Sequence, residues 1–128
     1  MPSSLDAHLA KADRHKSLAR SHLTPTAAEQ LPRDWAIVAG FYAALHYVQA
    51  YLATQGVVPV SHTAREAAIR RNKQVLRPIY SPYIELQSRS EDVRYEAQYQ
   101  PTDQDLQQMV RNLARVEGAV RRALRQGP

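Results

Sequence analysis

Cysteine is missing from this chain altogether. Its absence removes disulfides, thiolate metal ligands and cysteine nucleophiles together. Glycine is scarce and scattered, four residues in all, so there is neither a phosphate-cradling P-loop nor a Gly-rich dinucleotide turn. No apolar run approaches the ~20 residues that a membrane-spanning helix needs, and the first residues lack the apolar segment of a secretory signal. The expectation is a cytoplasmic protein with no membrane contact. Phe and Trp occur once each against seven Tyr, so the aromatic surface carries hydroxyls. Nothing alternates at the two-residue period of a half-buried strand, and no internal repeat or low-complexity run is visible.

Metal and cofactor chemistry find little to work with. The five histidines are His8, His15, His22, His46 and His62, and none is paired at i, i+3 or i+4. His8, His15 and His22 recur every seven residues, which sets them ~10 Å apart along one helix stripe, too far to share an ion. They are expected on a solvated helix face. No Ser-His-Asp grouping is apparent. The expectation is no metal and no cofactor.

The residues that are present suit a small helical domain. A length of 128 residues with 44% hydrophobic and 23% charged residues fits one globular domain, residues 1–128 with a core over about 5–125. Seventeen Lys and Arg oppose twelve acids, for a formal charge of +5. Only Lys11, Lys16 and Lys73 are lysines, and arginine is the better bidentate partner for phosphate. Basic residues crowd the first, middle and last segments, whereas Glu85, Glu91, Asp92, Glu96, Asp103 and Asp105 gather between the last two.

Helical periodicity organises the chain. A first helix is expected from about Leu5 to Leu23, with Ser3 and Asp6 as a capping box, and Pro25 and Pro32 break the connection to the second helix. Asp34 to about Thr54 forms the most buried helix, with Val38, Phe41, Tyr42, Leu45, Val48 and Leu52 as its core stripe and alanines narrowing its other faces. Ser61 caps a short helix through Arg71. A further helix from Pro82 would end before Pro101, with Tyr83, Leu86, Val93 and Ala97 facing inward. Thr102 and Asp105 open the last helix, whose apolar residues run from Leu106 to Leu124. Gly118 within it would mark a close approach by another helix. The fold class expected is all-α: an antiparallel up-and-down bundle of four main helices plus a short helix.

Two positions invite chemistry, each with a plainer reading beside it. His46 is a candidate general base, or a half-buried histidine satisfied by hydrogen bonds among tyrosines. In Arg94-Tyr95-Glu96-Ala97-Gln98-Tyr99, Arg94 pairs with Glu91 along the helix and Tyr95 and Tyr99 share a face at i, i+4. That cluster is either a site or a helix-end salt bridge with packed tyrosines.

Three blocks in order resemble the HEPN superfamily (higher eukaryotes and prokaryotes nucleotide-binding domain). "FYAALHYVQAYLATQGVVPVSH", Phe41 to His62, is similar to its second-helix signature, a Tyr-Ala-Ala-x-His run leading through an alanine-rich helix and a Gly turn to a histidine. "RYEAQY", Arg94 to Tyr99, resembles the Arg-x-x-Ala-Asp-Tyr block of small stand-alone members, with Gln98 in place of Asp. The final capped amphipathic helix is similar in position and length. The resemblance implies a helical bundle, often a homodimer, and in many members a metal-independent ribonuclease with an Arg-x(4–6)-His motif from each protomer. Others are toxins beside a nucleotidyltransferase antitoxin, or inactive modules of defence systems.

Carried over by position, Arg94 takes the place of the motif arginine, while Tyr99 stands where the histidine would be. Tyrosine, with a pKa of about 10, is a poor base. Weak or lost ribonuclease activity is therefore expected, and catalysis would have to recruit His46 or His62. Arg94, Tyr95, Tyr99 and Arg65 are the candidate ligand contacts. The leading expectation is a HEPN-like module associating with RNA or a nucleotide, as a component of a toxin–antitoxin or antiviral defence system. The alternative is a non-catalytic interaction subunit whose acidic 85–105 region docks on a basic partner or a second copy. A third is nucleotidylation of Tyr99 by a partner enzyme.

Overall fold

The computed structural model describes residues 4–21 and 32–126, so expectations placed on Ser3, His22, Leu23 and Pro25 lie outside the described residues. The described chain is all-helical: α1 (Ser4–Ser21), α2 (Pro32–Thr54), α3 (His62–Arg71), a 3-10 turn (Arg77–Ile79), α4 (Tyr80–Tyr95) and α5 (Asp103–Gln126).

Local chemistry explains most of the boundaries. Pro32, expected as a breaker, instead heads α2, where its fixed φ and missing N–H are tolerated. Ser61 caps α3 through its Oγ, 3.0 Å from the Ala64 N–H. Thr102 and Asp105 bond reciprocally at the start of α5: Thr102 N–H donates to Asp105 Oδ2 at 3.0 Å, and Asp105 N–H to Thr102 Oγ1 at 3.1 Å. This is the capping box expected there. Gly56 ends the turn after α2 with φ of 73°, a conformation that side chains with a Cβ disfavour. α4 starts two residues before Pro82 and stops at Tyr95, so Ala97 lies beyond the helix and is exposed rather than inward.

Helix α2 lies at the centre of the packing. Ala36, Ala39, Ala43, Ala44, Phe41, Tyr47 and Val48 along it are all buried, and it packs against α1, α4 and α5. By length and composition Arg33–Thr54 would suit a membrane, contrary to the sequence expectation, yet 72% of its most apolar window is buried inside the protein. The expected core residues Leu45, Val48, Leu52, Leu86, Leu113 and Val120 belong to one cluster.

The close helix approach falls at Gly40, not at Gly118. A Cβ on Gly40 would come within 2.5 Å of Met109 Sδ, whereas one on Gly118 would meet only Arg122 Nη2 at 3.9 Å. Polar contacts also hold helix α1. Tyr47 Oη donates to Asp13 at 2.7 Å, Arg121 pairs with Asp13 at 2.5 Å and with Glu117 at 2.7 Å, and Lys16 reaches Glu117 at 2.9 Å. Burial, then the bond to Asp13, pushes the Tyr47 hydroxyl far above its ordinary pKa.

Candidate functional site

On an otherwise apolar α2, Tyr42, His46 and Gln49 stand at helical spacing and present one polar stripe. Neighbouring helices bring basic and imidazole groups to it. His8 and His15, seven residues apart on α1, both reach His46: His8 Nδ1 lies 2.9 Å from His46 Nδ1, and the His15 ring lies parallel to His46, tilted by 1° with centroids 5.8 Å apart. Their expected place on a solvated face is therefore corrected. Both are half-buried against α2. From α3, Arg65 donates through Nε to Gln49 Oε1 at 3.1 Å and through Nη1 to His62 Nδ1 at 3.0 Å. From the last turn of α4, Arg94 donates to the Ser90 carbonyl at 3.2 Å and to Tyr42 Oη at 3.4 Å. The His15 ring sits 6.0 Å from Tyr42, which links the Arg94 end to the imidazoles.

The charge balance of this edge is one-sided. Among the described residues no ion pair includes Arg65 or Arg94, although Arg65 is only 8% exposed. A buried guanidinium is ordinarily matched with a carboxylate, and here hydrogen bonds to neutral acceptors hold it instead. Burial lowers all three imidazoles first, and cations lower them further: Lys11 and Arg65 act on His8, Lys11 and Arg14 on His15. His46 is pushed down to about 4 by burial, then by His8, His15, Lys11 and Arg65. At pH 7 the three are neutral, and the two facing Nδ1 atoms share one proton, one donating and one accepting. No group of three or more potential metal ligands occurs among the described residues.

The sequence candidates divide between two places. Arg94, Arg65, His46 and His62 gather around the α2 stripe. Tyr95 joins them at its outer rim, 74% exposed, with the Arg94 guanidinium 5.2 Å from its ring centroid. Tyr99 goes elsewhere. The helix ends before it, so it shares no helix face with Tyr95. Its hydroxyl donates to Asp105 at 2.8 Å, and Arg89 stacks over its ring at 5.9 Å. Burial, then that bond, pushes Tyr99 up to about 12, which makes it a still poorer base and a structural part of the α5 cap. Arg94 makes no pair with Glu91; its partners are Tyr42 and a carbonyl. Sequence reasoning missed Tyr42, Gln49, His8 and His15 as members of the site. The available signal was the polar spacing of 42, 46 and 49 on an apolar helix.

Three buried atoms on α4 have no hydrogen-bond partner among the described residues: Tyr83 Oη, Gln87 Oε1 and Ser90 Oγ. They form one helical stripe that ends at Arg94, and burial raises Tyr83 to about 12 while nearby Arg65 opposes the rise. A cleft of about 180 Å3 is lined by Glu85, Leu86, Arg89, Asp105, Met109 and Asn112, and its two carboxylates make it the poorer host for an anion. Chemically, the α2 edge offers fixed guanidinium donors and a proton-sharing imidazole pair, the equipment for holding an oxyanion. Comparison with protein-family models, curated proteins and solved structures finds no match to this chain.

Proposed function

We propose that this chain is a HEPN-like helical module that holds the phosphate of an RNA or nucleotide at the edge of α2, with Arg65 and Arg94 as its cationic grip. One observation carries the reading: two arginines lacking any carboxylate partner among the described residues are fixed by hydrogen bonds beside a cluster of imidazoles. Donors that are oriented in advance and not neutralised from within lose little when an anion arrives. Tyr95 supplies an exposed ring for a base or sugar to rest on. Helices arranged as an antiparallel up-and-down bundle, paired as a homodimer in the cytoplasm, complete this reading and accord with the HEPN resemblance. In the same reading Tyr99 caps α5 and takes no part in chemistry, and any RNA cleavage, as in a toxin or defence component, falls to His46 with His62.

Calorimetric titration with oligouridylate and with ATP at low salt tests the proposal. Affinity for the RNA should fall with added salt, with a log–log slope of about −1.4 for two phosphate contacts on a single strand. Arg94→Ala and Arg65→Gln should each weaken binding by roughly tenfold or more. Absence of binding to both ligands at low salt would refute the reading.

A second reading is favoured by the exposed apolar groups Val58 and Val60, which are 70% and 92% exposed. In it the chain is an interaction subunit, and co-purification of a partner without RNA binding would distinguish it.

A further inference from the structure

The imidazole pair at the α1–α2 contact does more than fill space. A hydrogen bond between two Nδ1 atoms at 2.9 Å requires one ring to donate and the other to accept. The donating ring then carries an unprotonated Nε2. A proton arriving there leaves the Nδ1–H···Nδ1 bond intact and turns it into a charge-assisted one, which is shorter and stronger. A second proton would abolish the acceptor and set two like charges against each other. The pair therefore accepts one proton without loss of its geometry.

Charge and burial oppose that proton. On α1 the pair meets Lys11 and His15, with Arg14 beside His15; on α2, Tyr42 lies against His15 and Gln49 holds Arg65. From α3 it meets Arg65 and the His62 that Arg65 contacts, and from α4 Arg94 lies beyond Tyr42. The carboxylates of Asp13 and Glu66 act elsewhere, on Tyr47 and on Tyr83. Burial first, and then the cations around the pair, keep it unprotonated, and an anion bound among those cations offsets their part.

We infer that binding at this site, read as a phosphate site above, is proton-linked: an anion seated at the α2 edge is held with uptake of one proton by the His8–His46 pair. The proton comes from solvent and goes to the free ring nitrogen. The pair becomes a monocation, its charge balanced by the ligand, and no bond in the ligand changes. Affinity accordingly rises as pH falls below neutrality, by up to about tenfold per pH unit for one proton.

The test uses an oligouridylate without terminal phosphates, because neither its phosphodiesters nor its bases titrate between about pH 5.5 and about pH 7.5, the window in which imidazoles do. Calorimetry in two buffers of different ionisation enthalpy counts the protons directly. The expected result is an uptake of about one-half to one proton and tighter binding at the acid end. His46→Gln and His8→Gln, which keep a hydrogen-bonding side chain, should abolish both effects. Circular dichroism establishes that each variant is folded. A second measurement needs no ligand: as the folded imidazoles resist protonation, the unfolded chain binds more protons below about pH 6.5, and stability falls from there downward. Thermal melts of wild type should show that fall, and oligouridylate should reverse it.

Binding with no proton uptake and no pH dependence, or a dependence that survives in both His46→Gln and His8→Gln, overturns the inference and leaves the phosphate reading standing. Absence of binding across the whole pH range overturns both.

Discussion

Gly40 and Gly118 sit in long helices, and an added methyl group meets opposite surroundings at the two positions. At Gly40 the new Cβ would lie 2.5 Å from Met109 Sδ and 2.6 Å from its Cγ, more than about 1 Å inside the separation at which carbon atoms attract. Met109 is 3% exposed, and its Cγ is only one bond beyond Cβ, so a flexible tip cannot simply swing away. Overpacking of this kind costs up to about 3 kcal/mol, against roughly 1 kcal/mol gained from alanine's helix propensity. The net expectation for Gly40→Ala is a loss of about 2 kcal/mol, or roughly 8 °C in melting temperature for a domain of this size. Gly118→Ala, whose nearest neighbour is a mobile arginine tip at 3.9 Å, should gain up to about 1 kcal/mol. Urea melts of both variants, and of Gly40→Ala combined with Met109→Ala, provide the assay. In the Met109→Ala background the Gly40→Ala loss of about 2 kcal/mol should turn into a gain of about 1 kcal/mol, a coupling of about 3 kcal/mol. Equal and stabilising effects at the two glycines, or additive behaviour in the double variant, would refute the close approach of α2 and α5.

Other perturbations rest on the same geometry. Leu113→Ala should cost about 2–5 kcal/mol, read by chemical denaturation, and an unchanged midpoint would remove Leu113 from the core. Tyr47→Phe should cost about 1.5–3 kcal/mol through the lost bond to the Asp13 carboxylate, and the effect should shrink in an Asp13→Ala background. Arg94→Ala should impair RNA binding with little effect on the melting temperature, since its partners are a tyrosine hydroxyl and a carbonyl. Tyr99→Phe should do the reverse, loosening the α5 cap and sparing affinity. A Tyr99→His variant that cleaved RNA would contradict the separation of Tyr99 from Arg94.

The parts of the fold that were legible are those governed by neighbours in sequence. Helix α5 announces itself through its apolar stripe and the Thr102–Asp105 box, and α2 through its alanines. Ser61 is a local cap and could be read as one. The site was harder because its pairs are distant: His8 meets His46 across 38 residues and Arg94 meets Tyr42 across 52. A seven-residue histidine spacing says that two rings share a stripe, but not which helix faces it. The same limit explains the exchange of Gly118 for Gly40, because the deciding neighbour, Met109, belongs to another helix. For Arg94 and Tyr99, the helix end at Tyr95 sends the two side chains to different partners, which the short interval between them concealed.

The way α1 is fastened has a consequence for how the molecule opens. Ala12 and Ala19 are its only residues that are fully buried among those described, and small side chains contribute little apolar area; half-buried Leu9 adds to it, and Asp13, Lys16 and the two histidines supply a polar grip. Elements held this way are the first to detach in native-state fluctuations, at a cost well below global unfolding. Amide exchange should therefore be fastest in α1 among the long helices and should accelerate with salt, as its ion pairs are screened. Since α1 also carries His8 and His15, any ligand that bridges them to α2 would slow exchange there first. The docking of one helix and the occupancy of the site become a single equilibrium, observable from either side.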